Sequence, residues 1–269
     1  MTANHPPRGG AASSPAAKEP EEVLRLDGIR VAFADKVVLD GISFAVARGE
    51  HVAVLGRSGS GKSVLLRVVL GLLEPDAGSV RLWGTDTAGL DDRGWAPLRK
   101  RSGLVFQAGA LFDSMSVFDN VAFPLRQQRR PENEIRDVVQ ERLEWVELPD
   151  SGRSMPSELS GGMRRRVALA RTLAGSPEFV LFDEPTTGLD PLTARRISEL
   201  MRELGERVCR ASILVTHDLQ SAQIVARRWI YLEGGKIAAD DTPGALQRGS
   251  GGEVRDFLAA YGWIEEGSR

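Results

Sequence analysis

Eight consecutive residues combine glycines, serines and a lysine in the pattern G-x-x-x-x-G-K-S. They are Gly56, Arg57, Ser58, Gly59, Ser60, Gly61, Lys62 and Ser63. The glycines let the backbone curl so that successive N–H groups, and the helix N-terminus that follows, face an anion. Lys62 places a positive charge at β- and γ-phosphates, and the Ser63 hydroxyl suits Mg²⁺. An apolar run precedes the pattern and a helical run follows it, which predicts a phosphate-binding loop.

Two adjacent acids follow the apolar run Phe179–Phe182. Open α/β sheets bind ligands at the C-terminal edge of their strands, which is where Asp183 and Glu184 are expected. We expect Asp183 to hold Mg²⁺ through its water shell and Glu184 to polarise an attacking water. A Glu directly after the Asp favours an ATPase over a small GTPase. The alternative, that the acids only cap the next helix or turn, is weakened by the loop upstream.

A second anion site is predicted at Ser160, Gly161 and Gly162, which open a predicted helix. Free N–H groups, a hydroxyl and the absence of Cβ atoms suit such a site. Because the first loop already holds the phosphates of one nucleotide, the second site makes sense if it contacts a nucleotide bound to a neighbouring copy. The alternative interpretation is a simple N-capped helix.

Apolar strands alternate with helical segments, which predicts a mainly parallel central sheet. The predicted strands are Val23–Phe33, Val37–Val46, His51–Leu55, Val80–Trp83, Leu104–Phe106, Phe179–Phe182, Ser212–Thr216, and a hairpin of Trp229–Leu232 and Lys236–Ala239. The predicted helices are Ser63–Leu73, Glu132–Val146, Pro191–Val208 and Val254–Tyr261. A mostly helical insertion is expected from about 108 to 175. No internal repeat is visible, which indicates one nucleotide-binding unit.

Bulk properties describe an ordinary globular chain of 269 residues with formal net charge −2. This charge gives no electrostatic case for nucleic acid. The single cysteine, Cys209, suits a reducing cytosol, and we expect it to fill a gap between helix and core. No transmembrane or signal segment is apparent, so a cytoplasmic location is expected. Residues 1–22 are interpreted as a disordered tail, and residues 249–269 as a C-terminal tail with a flexible joint and a short helix.

The combined pattern resembles the ABC ATPases over about Val23–Ala239. The segment Leu159–Met163 resembles their signature motif, although its usual fifth residue is Gln rather than Met. The segment Gly188–Pro191, which includes Asp190, resembles the D-loop that passes between two nucleotide sites. The resemblance implies an α/β P-loop NTPase domain over 23–248, with a mainly parallel sheet core, an antiparallel β subdomain and an inserted helical subdomain. It also implies a head-to-tail dimer that encloses two ATP molecules.

The same resemblance assigns roles to residues outside the first three motifs. Gln107 matches the Q-loop glutamine that senses Mg²⁺ and the attacking water, and His217 matches the switch histidine that contacts the γ-phosphate. Phe33 matches the aromatic residue that stacks on adenine. Val64 stands where the family often has Thr, so one side-chain contact to the α-phosphate is expected to be missing while the backbone N–H persists. Lys62, Gln107, Glu184 and His217 thus form the expected catalytic set, and hydrolysis is expected.

The segment from Phe106 to Leu125 resembles the Q-loop region of the Mla/Mce-type ATPases in the pattern FQxGALFxxMxVFDNVxxPL. Pro156–Glu158, Met163 and the run Val254–Leu258 fit the same group. The resemblance implies a complex that moves phospholipids between the inner and outer membranes. Its other parts would be a permease of the MlaE kind, a periplasmic Mce-domain lipid-binding protein and often a STAS-domain protein. The ATPase would lie on the cytoplasmic face of the inner membrane, bound to the permease.

Three alternatives stay open at this point. One is the ATPase of another ABC importer, for amino acids or ions. Another is a non-transport ABC ATPase acting on DNA or ribosomes, although such proteins usually carry a coiled-coil insertion or tandem cassettes. The third is a regulatory subunit without hydrolysis, which the intact catalytic set argues against. Elsewhere, the run Arg164–Arg166 is interpreted mainly as a solvated helix face, with one arginine possible at a dimer interface, and His51 as a satisfied structural residue.

Overall fold

The computed structural model describes residues 21–107, 109–249 and 251–264. Nearly all of the predicted tail 1–22, and the end of the predicted tail 249–269, lie outside these ranges. The strands are β1 (Glu22–Phe33), β2 (Lys36–Ala47), β3 (His51–Leu55), β4 (Ala77–Leu82), β5 (Thr85–Asp86), β6 (Ser102–Val105), β7 (Phe179–Asp183), β8 (Ala211–Thr216), β9 (Arg228–Glu233) and β10 (Lys236–Asp241).

The helices are α1 (Lys62–Val69), α2 (Asp92–Arg101), α3 (Val117–Gln127), α4 (Glu132–Trp145), α5 (Gly161–Ala174), α6 (Pro191–Val208), α7 (Leu219–Val225), α8 (Pro243–Gly249) and α9 (Gly252–Ala260). Short 3₁₀ turns lie at Ser151–Arg153 and Pro156–Glu158. In the described ranges, none of the helices has the length and apolar character that a bilayer crossing requires.

The larger sheet has the order β10-β9-β3-β8-β7-β6, with β10 as an antiparallel edge on an otherwise parallel set. Its central strands are apolar and almost wholly buried because other elements cover both faces. This confirms the predicted mainly parallel core. The register pairs Leu55 with Thr216 and Asp183 with Val215. The loops that follow β3, β7 and β8 therefore leave the sheet side by side.

The smaller sheet is antiparallel, with the order β2-β1-β4-β5, which confirms the expected antiparallel subdomain. Aromatic and ionic contacts join it to the parallel sheet. The ring of Trp83 meets Phe179 edge-on with centroids 6.5 Å apart. Arg101 lies 3.9 Å above the Trp83 ring and donates to both carboxylate oxygens of Glu178 at 2.7 and 3.1 Å. The junction couples cation–π stacking to a bidentate ion pair.

Helices α3, α4 and α5 lie between β6 and β7 in the chain, and they share a buried core with α6 and with strand residues such as Val180, Phe182 and Leu214. The buried amide of Asn120 shapes the loop that precedes α3. It accepts a hydrogen bond from the Phe112 N–H at 2.8 Å and donates to the carbonyls of Phe112, Met115 and Ser116. Residues 112–116 are thus held in a defined loop, whereas the sequence predicts a mostly helical stretch from about 108.

Three differences from the predicted elements have physical causes. The first helix ends at Val69 and not at Leu73, because Gly71 adopts φ +63° beneath Trp95, where a Cβ would lie 2.2 Å from the indole ring. Helix α2 is not predicted, since Pro97 and a polar composition hide its periodicity. Helices α7 and α8 are also unpredicted and have only seven residues each. The ends of the predicted joint at 249–252 belong to helices, because Gly249 is the last residue of α8 and Gly252 is the first residue of α9.

Candidate nucleotide site

The loop after β3 turns sharply because its glycines take backbone angles that other residues avoid. Gly56 has φ +153° and Gly61 has φ +99°. A Cβ on Gly56 would lie 2.5 Å from the carbonyl oxygen of Leu232, and one on Gly61 would lie 2.9 Å from that of Val38. The loop is therefore enclosed by backbone on two sides, and only glycine fits at these positions.

The Lys62 ammonium lies across this loop and is 6% exposed. It donates to the carbonyl oxygens of Gly56 at 2.8 Å and Arg57 at 3.1 Å, and it lies 3.7 Å from Oε1 of Glu184. Burial lowers the pKa of Lys62, while the charge of Glu184 acts in the opposite direction. The positive charge of Lys62 is thus held inside the loop, beside the carboxylate of Glu184.

Glu184 is held from several directions although its backbone is strained, with φ +48°. Its N–H donates to the carbonyl oxygen of Val215 at 2.9 Å. Its Oε2 atom accepts from Thr187 Oγ1 at 2.8 Å and lies 2.7 Å from Nδ1 of His217. The carboxylate is therefore oriented by two side chains and stands beside the ammonium of Lys62.

Thr187 is a site residue that sequence reasoning missed. Its N–H donates to the Glu184 carbonyl at 3.2 Å, which closes a turn and returns its hydroxyl to the carboxylate. A hydroxyl residue three positions after the acid, within a segment containing Pro185 and Gly188, was the available signal.

Asp183 and Ser63 form an oxygen-rich pair next to this cluster. Ser63 Oγ donates to Asp183 Oδ1 at 3.0 Å. Burial raises the pKa of Asp183, and the bond from Ser63 acts against this shift. A serine hydroxyl beside a carboxylate is a donor set that Mg²⁺ prefers in phosphate sites, so these residues fit that ion.

Most of the predicted phosphate and catalytic residues share one cavity of about 320 Å³. Its lining consists of Val38, Ser58, Gly59, Gly61, Lys62, Ser63, Val64, Gln107, Glu184, Thr187 and His217. Gln107 comes from the loop after β6, and His217 follows β8. Residues far apart in sequence thus converge at the C-terminal edge of the parallel sheet, as in other open α/β folds.

Several predicted contact residues do not line this cavity. The carbonyl of Arg57 is bonded to Lys62, and the buried Ser60 hydroxyl has no partner within the described ranges. The ring of Phe33 is 49% exposed at the end of β1. Among the described residues, the cavity lining also lacks Ser160, Gly161, Gly162 and Asp190.

The signature turn caps α5 and leaves its first residues exposed. Ser160 Oγ accepts from the Met163 N–H at 3.2 Å, and both Ser160 and Gly161 are exposed. Gly162 is buried, and a Cβ there would lie 2.6 Å from Cγ2 of Thr193. Asp190 caps α6 by accepting from the Thr193 N–H at 3.0 Å. The turn and the D-loop therefore pack together at a surface of the chain.

Comparison with known proteins identifies the family to which this chain belongs. Residues 39–187 match the profile of the ABC transporter family. The chain belongs to the ABC transporter ATP-binding family. It is 38% identical over 239 residues to the intermembrane phospholipid transport ATP-binding protein MlaF of Haemophilus influenzae, covering 88% of this chain and 90% of that one. It is 39% identical to MlaF of Escherichia coli K12 over 225 residues, which are 83% of this chain and 84% of MlaF. An MlaF-like ABC ATPase is therefore supported.

The ABC family also includes similar proteins of other function. The methionine import ATP-binding protein MetN of Rhizobium johnstonii is 38% identical over 220 residues, which are 82% of this chain and 61% of MetN. Among solved structures, a bacterial ABC cassette captured as a post-hydrolysis dimer with ADP and phosphate gives a TM-score of 0.74 at 32% identity, covering 81% of this chain and 98% of that cassette. A subunit of a Clostridium perfringens ABC transporter complex gives 0.78 at 29% identity, covering 84% of this chain and 90% of that subunit. These matches show the ABC-ATPase fold.

This ABC ATPase also has a larger groove, of about 880 Å³, beside the loop that carries Gln107. Its lining includes Phe106 and Phe112, which are 44% and 41% exposed. The ring of Phe112 packs on Phe123 with centroids 4.8 Å apart. Arg171 donates to the carbonyls of Ala110 at 2.7 Å and Gly109 at 3.0 Å and so braces the loop.

The sequence also makes predictions for residues outside the nucleotide site, and the structure agrees with some of them. His51 is satisfied as expected, because its Nδ1 lies 2.7 Å from Ser212 Oγ. Cys209 packs against the core beside α6, also as expected. The interpretation of Arg164–Arg166 as a solvated face is wrong for two of the three residues. Arg165 and Arg166 are half-buried, because the turns beside α5 bring the carbonyl oxygens of Thr187 and Val146 within reach of their guanidinium groups.

Proposed function

We propose that this chain binds Mg-ATP, hydrolyses it as one of two head-to-tail copies, and thereby drives phospholipid transport between the inner and outer membranes. The observation that carries the ATPase assignment is the cavity that Lys62, Glu184 and His217 share. Phosphate, water and proton acceptor would meet there within hydrogen-bonding distance.

Each residue of the nucleotide site has a separate role in the proposed hydrolysis. The loop N–H groups and Lys62 hold the β- and γ-phosphates, which replace the carbonyl partners of the ammonium. The Glu184 carboxylate accepts a hydrogen bond from the attacking water and aligns it with the γ-phosphate. Thr187 keeps the carboxylate in place, and His217 bridges it to the γ-phosphate oxygens. Phe33 stacks on adenine through its exposed ring.

Magnesium fits next to these groups. Ser63 and Asp183 would hold the ion, and Gln107, which lines the same cavity as Ser63, is the third proposed ligand. When bound, the ion would supply positive charge that offsets the negative charge of the phosphates.

A second copy completes the site. Ser160 and Gly161 are exposed and present an open helix N-terminus, which attracts an anion. Since this turn does not line the cavity of its own chain, its anion is the γ-phosphate held by the neighbour. Asp190 lies next to the turn and would cross between the two nucleotides. The dimeric form of the related cassette supports this arrangement.

Transport coupling is assigned to the groove beside Gln107. The exposed rings of Phe106 and Phe112 form an apolar surface to which a helix of a membrane permease could bind. The loop that carries these rings also carries Gln107. Closure of the dimer would thus move the permease helix. We propose an MlaE-like permease, a Mce-domain lipid-binding protein and a STAS-domain protein as partners, which places the chain on the cytoplasmic face of the inner membrane.

Phospholipid is the proposed cargo because two observations favour it. The residues from Phe106 to Leu125 follow the pattern of the Mla/Mce-type ATPases. Among them, Phe106, Ala110, Phe112, Phe123 and Pro124 line the groove that would receive the permease. Relatives named for intermembrane phospholipid transport are 38% and 39% identical over 88% and 83% of the chain.

The test is lipid transfer by the reconstituted complex. The chain, its permease and the Mce-domain protein are placed in vesicles with a fluorescent phospholipid, and transfer to acceptor protein is followed with and without ATP. We expect ATP-dependent transfer that is lost when the complex carries Glu184→Gln. A complex that hydrolyses ATP but moves no phospholipid would overturn the cargo assignment.

Methionine is the second candidate cargo, because the methionine import proteins are nearly as similar as the phospholipid ones. The same vesicles are loaded with ATP and offered labelled methionine. Uptake that depends on ATP, without lipid transfer, would favour the importer assignment.

A further inference from the structure

Arg165 lies between two loops that serve different nucleotides under the proposed function. Its Nη1 donates to the carbonyl oxygen of Gly161 at 3.3 Å, within the signature turn. Its Nη2 donates to the carbonyl oxygen of Thr187, in the turn after Glu184. One planar guanidinium therefore joins the two backbones, and its fork geometry fixes their relative position.

Thr187 in turn forms hydrogen bonds with Glu184, the proposed general base. The Thr187 N–H donates to the Glu184 carbonyl at 3.2 Å, and its hydroxyl donates to Glu184 Oε2 at 2.8 Å. A shift of the Thr187 carbonyl would rotate this turn and with it the hydroxyl that orients the carboxylate. The path from Gly161 to Glu184 consists of one side chain and one turn.

Arg165 is half-buried, and its guanidinium is held by backbone carbonyls of two separate segments. Its Nε atom is buried and has no partner within the described ranges, and burial followed by the nearby Arg164 charge lowers its pKa. A guanidinium that gives up water to reach two carbonyls depends on both of them. A Cβ on Gly161 would lie 3.5 Å from Nη1, so the helix start and the guanidinium are in close contact.

We propose that Arg165 is a positioning residue that links the signature turn to the general base of the same chain. When Ser160 and Gly161 engage the neighbour's γ-phosphate, Arg165 draws the Thr187 turn into the position in which Glu184 holds the attacking water. Hydrolysis at one site is thereby tied to occupancy of the other. The inference rests on the proposed head-to-tail dimer.

Arg166, the next residue of α5, provides a matched control for Arg165. Arg166 is half-buried like Arg165 and donates to the carbonyl oxygens of Val146 and Glu147 at 3.3 and 3.5 Å, in a loop that contributes nothing to the cavity. Removing it deletes the same kind of side chain from the next position of α5. Arg165→Met and Arg166→Met therefore separate the link to Glu184 from the general cost of losing a guanidinium.

The experiment measures turnover, ATP affinity and unfolding temperature of the complex with its permease. We expect Arg165→Met to lower kcat by about 10-fold to 100-fold, as expected for a reacting group displaced by up to about 1 Å. ATP affinity should be unchanged, Arg165→Lys should recover part of the loss, and Arg166→Met should retain wild-type turnover. If Arg165→Met does not fold, Arg165→Lys provides the measurement, with a kcat below wild type at unchanged affinity.

A mutant cycle with Glu184 gives the decisive readout. Because Arg165 is proposed to act through this carboxylate, Arg165→Met should lower the residual single-turnover rate of Glu184→Gln no further. An equal fractional loss in both backgrounds would overturn the proposal, and so would equal turnover of Arg165→Met and Arg166→Met. Failure of lipid transfer alone would refute the cargo and leave this comparison intact. A wild-type complex without ATPase activity would refute both.

Discussion

Replacing Glu184 by Gln is the sharpest test of the catalytic assignment. The amide keeps the length of the side chain and one oxygen, so Thr187 Oγ1 and His217 Nδ1 retain an acceptor at the position they contact at 2.8 and 2.7 Å. The change removes the negative charge and the ability to accept a proton. The site therefore keeps its shape and loses its base.

The expected magnitude follows from the role of a positioned base. Such groups contribute roughly 10²-fold to 10⁴-fold to a rate, which corresponds to about 3 to 5 kcal/mol of activation free energy. ATP affinity should be equal or tighter, since the carboxylate 3.7 Å from Lys62 no longer competes with phosphate for the ammonium. We therefore expect a large fall in kcat with no rise in KM.

Phosphate release and nucleotide binding are measured on the same preparation, together with its oligomeric state in Mg-ATP. The variant should accumulate as an ATP-loaded dimer, because closure proceeds and cleavage does not. Glu134→Gln, an exposed acid in the first turn of α4, is the matched control and should behave as wild type. Turnover by Glu184→Gln equal to that of the control would refute the assigned role.

Three further predictions concern Phe33, His51 and Cys209. Phe33→Ala should raise KM for ATP by about 2-fold to 10-fold at unchanged kcat, since aromatic stacking contributes roughly 0.5–1.5 kcal/mol; steady-state kinetics checks this, and an unchanged KM would contradict it. Burial lowers the pKa of His51 below 6.5, so the unfolded chain takes up the proton more readily. The contribution of His51 to the free energy of unfolding should therefore be fully present above pH 6.5 and should decrease below it, by at most about 1.4 kcal/mol per pH unit. Thermal unfolding measured across pH should show this decrease, and His51→Gln should make it smaller. Burial raises the pKa of Cys209 to about 12, so iodoacetamide should label the native chain far more slowly than the unfolded chain, as mass spectrometry would show.

Sequence patterns predict the parts of this fold that are buried on both sides or explicitly capped. The runs that become β3, β7 and β8 are continuously apolar because the sheet is covered on both faces. Helix α6 runs from Pro191 to Val208 as predicted, since Asp190 caps it and a proline occupies its first turn. Local signals decide these elements, so no tertiary information is needed.

The missed features depend on contacts that sequence spacing does not show. Helix α2 buries only Trp95 and Leu98 and contains Pro97, so tertiary packing and not periodicity stabilises it. Thr187 and Arg165 gain their importance from a turn and a carbonyl contact between separate loops. Gln107 and His217 were assigned by resemblance alone, and the structure brings both to the cavity that holds Glu184.

The left-handed backbone of Glu184 has a consequence for attempts to make this protein more robust. A non-glycine residue in that conformation costs roughly 1 kcal/mol or more, and here it is also a partly buried acid beside a buried lysine. Asn adopts this conformation more readily, but its shorter, uncharged side chain would leave the buried Lys62 ammonium without its acid partner and the Thr187 hydroxyl without its acceptor. The relief of backbone strain is therefore offset, and an attempt to make the chain more heat-resistant gains nothing by replacing the residue on which turnover depends.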